Sequence, residues 1–353
     1  MKHYLFLTYR IKMGYGVDVA VGNIASNLIR LGHQVTIGCL ETDGHCSSLD
    51  VRLVDPDPTS ITRLVEEVGC DCVIANTTPF FEVLPLLDTT IPRWALEYGD
   101  PTPEFFPLDG VKRRHIKETK IRDCYPMING VIAISRFIRA DIRWPDALVI
   151  HIGCDHVPDR GPKGILDFDP DPTTRLNVGT LMRMGQGESN YKGNQLFCEI
   201  VEKSMKQGIP ARFYVMGRGT PKDAAFFESK GIETRLNAPD DQKWDYLRKL
   251  DVFISPSLWE GFNLPLVEAQ ALGTMGVAFD TGAHPEVTPF VVSSVDEVVA
   301  LLRPMGLDRT LLWRHSLLSY RFVRSRFSWE KCTLEFLRIT GEKSRPARVG
   351  MLK

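Results

Sequence analysis

The stretch Val252-Phe253-Ile254-Ser255-Pro256-Ser257-Leu258-Trp259-Glu260-Gly261-Phe262-Asn263-Leu264-Pro265-Leu266-Val267-Glu268-Ala269-Gln270-Ala271-Leu272-Gly273 decides how this sequence is read. Its apolar, branched opening predicts a buried strand that ends at Ser255. A loop follows, then a short helix over Leu264–Leu272, with Pro265 suited to the first helical position. Glu268 falls about one turn into that helix, and Glu260 stays in the loop. Free backbone N–H groups at a helix start favour an anionic or hydroxyl-bearing ligand. Flanking carboxylates suit sugar hydroxyls, which donate hydrogen bonds to ionised acceptors. A single Glu in this place would be ordinary turn chemistry; the whole string asks for more.

On either side, short apolar runs alternate with helical patterns, twice over. The first series predicts strands near Tyr4–Thr8, Val35–Cys39, Cys72–Ala75, Trp94–Glu97, Val131–Ile134 and Ala147–His151, with a helix from Val19 to Leu31 closed by Gly32. The second predicts strands near Arg175–Val178, Arg212–Met216, Thr234–Leu236, Val252–Ser255 and Val277–Asp280. Helices are expected at Asn194–Gln207 and Asp241–Leu250 as well. Strands that alternate with helices imply parallel sheets covered on both faces. The 353 residues therefore read as an α/β chain of two Rossmann-like domains. The boundary falls near the Pro/Gly/Asp-rich run from His156 to Thr173. In such sheets ligands bind beyond the carboxyl ends of the strands, so the loops there are where chemistry is sought.

Composition narrows the function classes. With 43 Lys and Arg against 44 Asp and Glu, the chain lacks the basic excess of a general nucleic-acid binder. The eight cysteines are scattered and form no Cys-x-x-Cys pair, which reads as free thiols in a reducing cytoplasm. Cys154 and His156, with His151 nearby, lack metal-ligand spacing. The N-terminal apolar run, Tyr4 to Leu7, is too short for a signal peptide, and no stretch reaches the roughly 20 apolar residues of a membrane span.

The quoted stretch resembles the E-x7-E signature of the family-4 retaining glycosyltransferases, with Glu260 and Glu268 at that spacing. Ala133-Ile134-Ser135, His151-Ile152-Gly153-Cys154-Asp155 and Phe327-Ser328-Trp329-Glu330 are similar to further motifs of the family. The resemblance implies the GT-B fold, two Rossmann-like domains facing a central cleft. Residues 1–155 would bind the acceptor and 156–326 the nucleotide sugar. Residues 327–340 would form a helix crossing back to the first domain, and 341–353 a flexible tail. It further implies that Glu268 holds the nucleotide ribose, and that Glu260, Gly261, Phe262, Asn263 and Leu264 hold the transferred sugar.

Two more constellations complete the expected site. In Asn177-Val178-Gly179-Thr180-Leu181-Met182-Arg183, followed by Tyr191-Lys192-Gly193, a strand is expected to pass through a long glycine-bearing loop into a helix. Arg183 and Lys192 resemble the family's pyrophosphate-binding pair, and such cations neutralise a departing diphosphate without metal. Gly14 and Gly16 let backbone approach a phosphate, as the family's N-terminal glycine loop does. The rival reading of these glycines is a dinucleotide fingerprint with Glu41 as the ribose acid, although several residues separate strand from Gly14. Asp55-Pro56-Asp57, Asp167-Phe168-Asp169 and Asp169-Pro170-Asp171 mimic a metal-binding Asp-x-Asp but read as turns. The family often carries a His after the fourth strand. This chain has Glu97-Tyr98-Gly99-Asp100 instead, so Glu97, Tyr98 and Asp100 are the candidates for sugar or acceptor contact. His284 reads equally well as a site or a surface residue.

One feature stands apart. Between Lys112 and Arg143 there are nine Lys and Arg against three Asp and Glu. The patch Lys112–Arg122 reads as a solvated helix face or as a peripheral contact with anionic lipid on the cytoplasmic side. The expected activity is transfer of a hexosyl or deoxyhexosyl group from a nucleotide-sugar donor to a carbohydrate, lipid-linked or small-molecule acceptor. No cofactor, metal or nucleic acid is expected. The alternatives are a nucleotide-sugar epimerase of related fold, a non-catalytic sugar-nucleotide-binding module and an NAD(P)-dependent dehydrogenase.

Overall fold

The computed structural model describes residues 1–87, 90–168, 175–185, 187–239 and 241–341. They form two compact units. The first comprises Met1–Asp100, Asp109–Gly153 and the described residues from Ser328 onward; the second comprises Pro101–Leu108 and Cys154–Phe327. The expected tail from 342 onward lies outside the described residues.

The first unit holds seven parallel strands: β1 His3–Ile11, β2 Gln34–Thr42, β3 Asp50–Leu53, β4 Cys72–Ala75, β5 Arg93–Glu97, β6 Gly130–Ala133 and β7 Leu148–Val149. Their order is β3-β2-β1-β4-β5-β6-β7. The second holds six: β8 Leu176–Arg183, β9 Ala211–Arg218, β10 Ile232–Leu236, β11 Val252–Ser255, β12 Met275–Phe279 and β13 Phe290–Val292. These run β10-β9-β8-β11-β12-β13, again all parallel. Each sheet thus reverses its winding once, at β1/β4 and at β8/β11. Loops diverge there and leave a crevice at the strands' carboxyl ends.

Central strands are apolar on both faces because helices cover both. Leu5, Phe6, Leu7, Val73, Ile74 and Ala75 in the first sheet, and Val178, Val215, Val252, Ile254 and Val277 in the second, have essentially no exposure. The helix Gly16–Arg30 buries Ala20, Val21, Ile24, Ala25 and Leu28, one stripe at helical spacing. The helix Pro58–Val68 starts on Asp57, whose carboxylate accepts from the Ser60 amide, and stops at Gly69 in the left-handed region. Asp57 is therefore turn chemistry. Asp167 lies in a short 3-10 turn, while Asp169 and Asp171 lie outside the described residues.

Several elements depart from expectation. β3 and β13 were not expected: Asp50–Leu53 is an edge strand with no buried residue, and Phe290–Val292 is three residues long. The Ala147–His151 strand shrinks to Leu148–Val149 at the opposite edge, where pairing on one side gives it little support. β8 continues through Arg183, so Gly179 is a strand residue and not part of a loop. A Cβ there would lie 2.7 Å from Leu250 Cδ2 and 2.8 Å from the Tyr246 hydroxyl. β1 runs on to Ile11, leaving only Lys12 to Tyr15 before its helix.

The helix Trp329–Gly341 packs in the first unit, setting Phe336 against Tyr4 and Phe6 at ring separations of 5.8 Å each. Its start is seated on Gly153, where a Cβ would come within 2.2 Å of the Trp329 amide nitrogen. Gly153→Ala must therefore push this helix off its seat and lower the thermal midpoint. Gly22→Ala, in the middle of the helix Gly16–Arg30 with only Cys46 Sγ at 3.8 Å, should instead stabilise by about 0.5–1 kcal/mol through helix propensity. Paired thermal unfolding curves check both signs.

Candidate active site

At the β11 end, the chain crosses a loop into the helix Leu264–Ala271, so Pro265 is its second residue and not its first. The turn is made by Asn263, at φ 69° and ψ 68°, a left-handed conformation that Asn tolerates better than most residues. Its side-chain oxygen accepts from the Leu266 amide at 3.2 Å and caps the helix. Its amide nitrogen donates to Ser255 Oγ at 2.7 Å and to His284 Nε2 at 2.9 Å. His284 Nδ1 in turn donates to the Phe279 carbonyl at 2.8 Å. These partners fix one tautomer of a neutral ring, and burial lowers its pKa further. His284 is fully buried, a structural brace of the loop and not a surface residue.

Glu260 sits in that loop, buried, with Oε1 2.7 Å from Lys192 Nζ. Burial alone would raise its pKa, but the Lys192 ammonium more than offsets this and leaves it lowered. Main-chain bonds hold the two together: the Leu258 amide donates to the Tyr191 carbonyl at 2.7 Å, and the Ala283 amide to the Glu260 carbonyl at 2.9 Å. Lys192 closes the short helix Glu188–Lys192, and Gly193 follows at φ 72°. A Cβ on Gly193 would lie 2.0 Å from the Pro256 carbonyl oxygen, so only glycine permits this approach. Arg183, at the end of β8, pairs with Glu188 at 2.9 Å. The β8/β11 crevice of the second unit thus gathers Arg183, Lys192 and Glu260, with Gly261, Phe262, Asn263 and Leu264 in the same loop.

Glu268, one turn into the helix, is 1% exposed. Two residues that sequence reading did not single out for this role hold it. His156 Nε2 lies 2.9 Å from Oε1, and Lys243 Nζ 2.6 Å from Oε2. Burial pushes the carboxyl up, and Lys243 with His156 overcomes that, bringing the pKa down to about 2. His156 also meets the Trp244 ring edge-on at 6.0 Å. Nothing in the local sequence marks either cation as a partner of Glu268, since His156 is 112 residues away.

The first unit has its own crevice, at the ends of β1, β4 and β5. A cavity of about 440 Å³ is lined there by residues that include Tyr9, Arg10, Asn76, Glu97, Tyr98 and Asp100. Glu97 is buried and already engaged: Lys120 Nζ lies 2.6 Å from its Oε1, the Tyr125 hydroxyl donates to the same oxygen at 2.5 Å, and the Gly99 amide reaches Oε2. Lys120 also bonds Asp100 at 2.6 Å and lies 4.8 Å from the Phe81 ring centre. Burial opposes its charge, but Asp100 and Glu97 raise its pKa overall. This corrects the reading of Lys112–Arg122 as one solvated face: Lys120 is 2% exposed. Lys117 is tied to Asp141 at 2.8 Å and Arg122 to Asp123 at 2.6 Å.

Gly14, at φ 86°, and Gly16 lie in the loop after β1. That loop is held by carboxylates. The Lys12 amide donates to Asp18 at 2.8 Å, the Met13 amide to Asp43 at 2.9 Å, and Lys12 Nζ to Glu41 at 2.5 Å. The acid required by the dinucleotide reading is thus engaged with Lys12. Among the described residues no three His, Cys, Asp or Glu converge as a metal site, and no helix is long and apolar enough to cross a membrane. The eight cysteines are free thiols, all but Cys46 buried.

Residues 177–303 match the family model described as Glycosyl transferases group 1. The lipopolysaccharide core biosynthesis mannosyltransferase LpcC of Rhizobium leguminosarum bv. viciae is 29% identical over 244 residues, 62% of this chain and 66% of that protein. LpsB of Rhizobium meliloti strain 1021, of the same description, is 31% identical over 200 residues, 50% of this chain and 51% of that one. The matches therefore span between half and just under two thirds of these relatives' own length. The crystal structure of Anabaena Alr3699/HepE in complex with UDP-glucose superposes with a TM-score of 0.73 at 15% identity, covering 97% of this chain and all of that one. At that identity the likeness is one of fold: two parallel-sheet α/β units of GT-B type.

Two measurements test the electrostatics of the site. Glu268, near 4.5 when unfolded and about 2 when folded, stabilises the protein fully above pH 4.5 and loses that contribution as pH falls towards 2. The thermal midpoint of Glu268→Gln should therefore lie below wild type at neutral pH, with the gap closing between pH 4.5 and 2. Lys120→Met leaves Glu97 buried without its cation and should cost about 3–5 kcal/mol by urea unfolding.

Proposed function

We propose that the chain is a GT-B glycosyltransferase that transfers a sugar from a nucleotide-diphosphate donor to an acceptor hydroxyl with retention of anomeric configuration and without metal, a reading supported by the family model over residues 177–303, the mannosyltransferase relatives and the fold. The observation that carries this reading is the clustering of two cations and two ionised carboxylates at the switch point of the second unit. Arg183 and Lys192 supply positive charge to the departing diphosphate, in surroundings where such preorganised charge is worth far more than in water. Lys192 is already oriented by Glu260. Glu268, kept ionised by Lys243 and His156, accepts hydrogen bonds from the ribose hydroxyls, and each of its oxygens has a lone pair to spare. The loop Glu260–Leu264 orients the sugar, and the acceptor occupies the first unit's crevice.

The acceptor oxygen attacks the anomeric carbon on the face that the diphosphate leaves, and a leaving phosphate oxygen takes the hydroxyl proton. The C–O bond to phosphate breaks as the new glycosidic bond forms, so the chain supplies charge and position and no covalent nucleophile. Because the named relatives are mannosyltransferases, nucleotide-activated mannose is the first donor to assay. Lys192→Ala should lower kcat by roughly 10²–10³, the effect of deleting one preorganised charge at the transition state. Glu268→Ala should raise KM for the donor. NMR of the product should show the donor's anomeric configuration, with the rate unchanged by EDTA. Near-normal transfer by both variants, an inverted product or loss of activity in EDTA would each contradict the proposal.

A further inference from the structure

The helix that carries Lys192, Glu188–Lys192, is five residues long, and Gly187 before it offers no side-chain cap. A helix this short has little stability of its own, so its packing partners decide where it lies. One partner is the loop after β11, which Gly193 admits to close range. The other comes from far upstream. The chain leaves the first unit after Asp100, contributes Pro101–Leu108 to the second, and returns to the first at Asp109. In this strap the Phe105 carbonyl accepts from Asn190 Nδ2 at 2.8 Å. The rings of Phe105 and Phe106 lie 6.0 and 5.9 Å from that of Tyr191, and Phe106 is buried. A Cβ on Gly187, already at φ 76°, would fall 2.4 Å from Phe106 Cδ1. The helix is thus closed by a glycine at each end, one against the strap and one against Pro256. Tyr191, the residue the strap grips, is also the one that meets both cations. Its ring centre lies 5.1 Å from Lys192 Nζ, and Arg183 hydrogen-bonds to its hydroxyl.

Resting on the reading of Arg183 and Lys192 as the pair that meets the diphosphate, we infer that the strap Pro101–Leu108 sets that pair in place, with Phe106 as its positioning residue. Phe106 touches neither cation and acts through Tyr191. Without its ring, Tyr191 loses its support on the strap side while Trp259, edge-on at 6.5 Å, still holds it from the Glu260 loop. The Lys192 ammonium and the Arg183 guanidinium then gain freedom that a bound diphosphate must take away again, and that ordering is paid in affinity. The other end of the nucleotide is spared, because His156 and Lys243 hold Glu268 without help from the strap. The loss therefore falls on the phosphates. Residues 101–108 also lie outside the matched span 177–303, so that span carries the two cations without the segment that braces them.

The test is calorimetric titration of the full chain with GDP and UDP and with the matching monophosphates, read as the preference for diphosphate over monophosphate. Phe106→Ala should lower that preference at least about fivefold and leave monophosphate affinity within about twofold of wild type. Combined with Lys192→Ala it should add less than its own loss, because both changes remove the same interaction. Phe106→Leu, which keeps apolar bulk beneath Gly187, should restore most of the preference. Asn190→Ala, at an exposed position, removes the strap's polar tie without opening the interior, and should lower the preference by about twofold. Should Phe106→Ala fail to unfold cooperatively, Asn190→Ala decides. A preference unchanged in the folded variants overturns the inference, as does an equal loss for mono- and diphosphate, or a loss that multiplies fully with that of Lys192→Ala. Wild-type binding separates the two claims: diphosphate binding that these variants leave intact sinks only the role of the strap, whereas no diphosphate binding by wild type sinks the reading on which it rests.

Discussion

Three carboxylates, those of Glu97, Glu260 and Glu268, are taken out of water at the carboxyl ends of the two parallel sheets. An ionised carboxylate so placed costs several kcal/mol unless a cation meets it in good geometry. Here each is met: Glu97 by Lys120, Glu260 by Lys192, and Glu268 by Lys243 with His156. The consequence is chemical as well as structural. A carboxylate held ionised is a permanent acceptor for hydroxyl donors, and a cation held by a carboxylate stands oriented before any ligand arrives. Preorganised charge of this kind is what phosphate- and sugar-binding chemistry requires, because little rearrangement then opposes the reaction.

The backbone is shaped to make those meetings close. Gly193 allows the Lys192 turn to lie against Pro256, within reach of a carbonyl oxygen that any Cβ would strike. Asn263 adopts a left-handed conformation so that its side chain caps the helix carrying Glu268 and ties the loop carrying Glu260 to the buried His284. His284 stays neutral because a carbonyl accepts from one ring nitrogen and an amide donates to the other. The loop Glu260–Leu264 is thus fixed from beneath by uncharged hydrogen bonds.

Much of the fold was legible. Val252–Ser255 and Cys72–Ala75 lie at the predicted bounds because a fully buried parallel strand is an uninterrupted apolar run with abrupt ends. β3 was not legible, since an exposed edge strand such as Asp50-Val51-Arg52-Leu53 carries no apolar signal. The spacing of Glu260 and Glu268 was visible, and so were Arg183 and Lys192, because a loop and its helix keep these residues close in sequence. Their counter-charges were not. Lys243 and His156 reach Glu268 only through the winding of the sheet, and Lys120 shares its helical spacing with solvated neighbours. Sequence periodicity tells which face a residue is on, and partners distant along the chain decide whether its charge is spent. That is why Lys112–Arg122 read as one patch when Lys120 belongs to the interior.

The central claim is that the second unit holds a nucleoside diphosphate on preset cations. Calorimetric titration of the full chain with nucleoside diphosphates, with EDTA and then with Mg²⁺, tests it most directly. The account predicts binding in EDTA that Mg²⁺ does not strengthen and that Lys192→Ala weakens by at least about tenfold, roughly 1.4 kcal/mol. Binding that appears only with Mg²⁺, or that Lys192→Ala leaves intact, would contradict it.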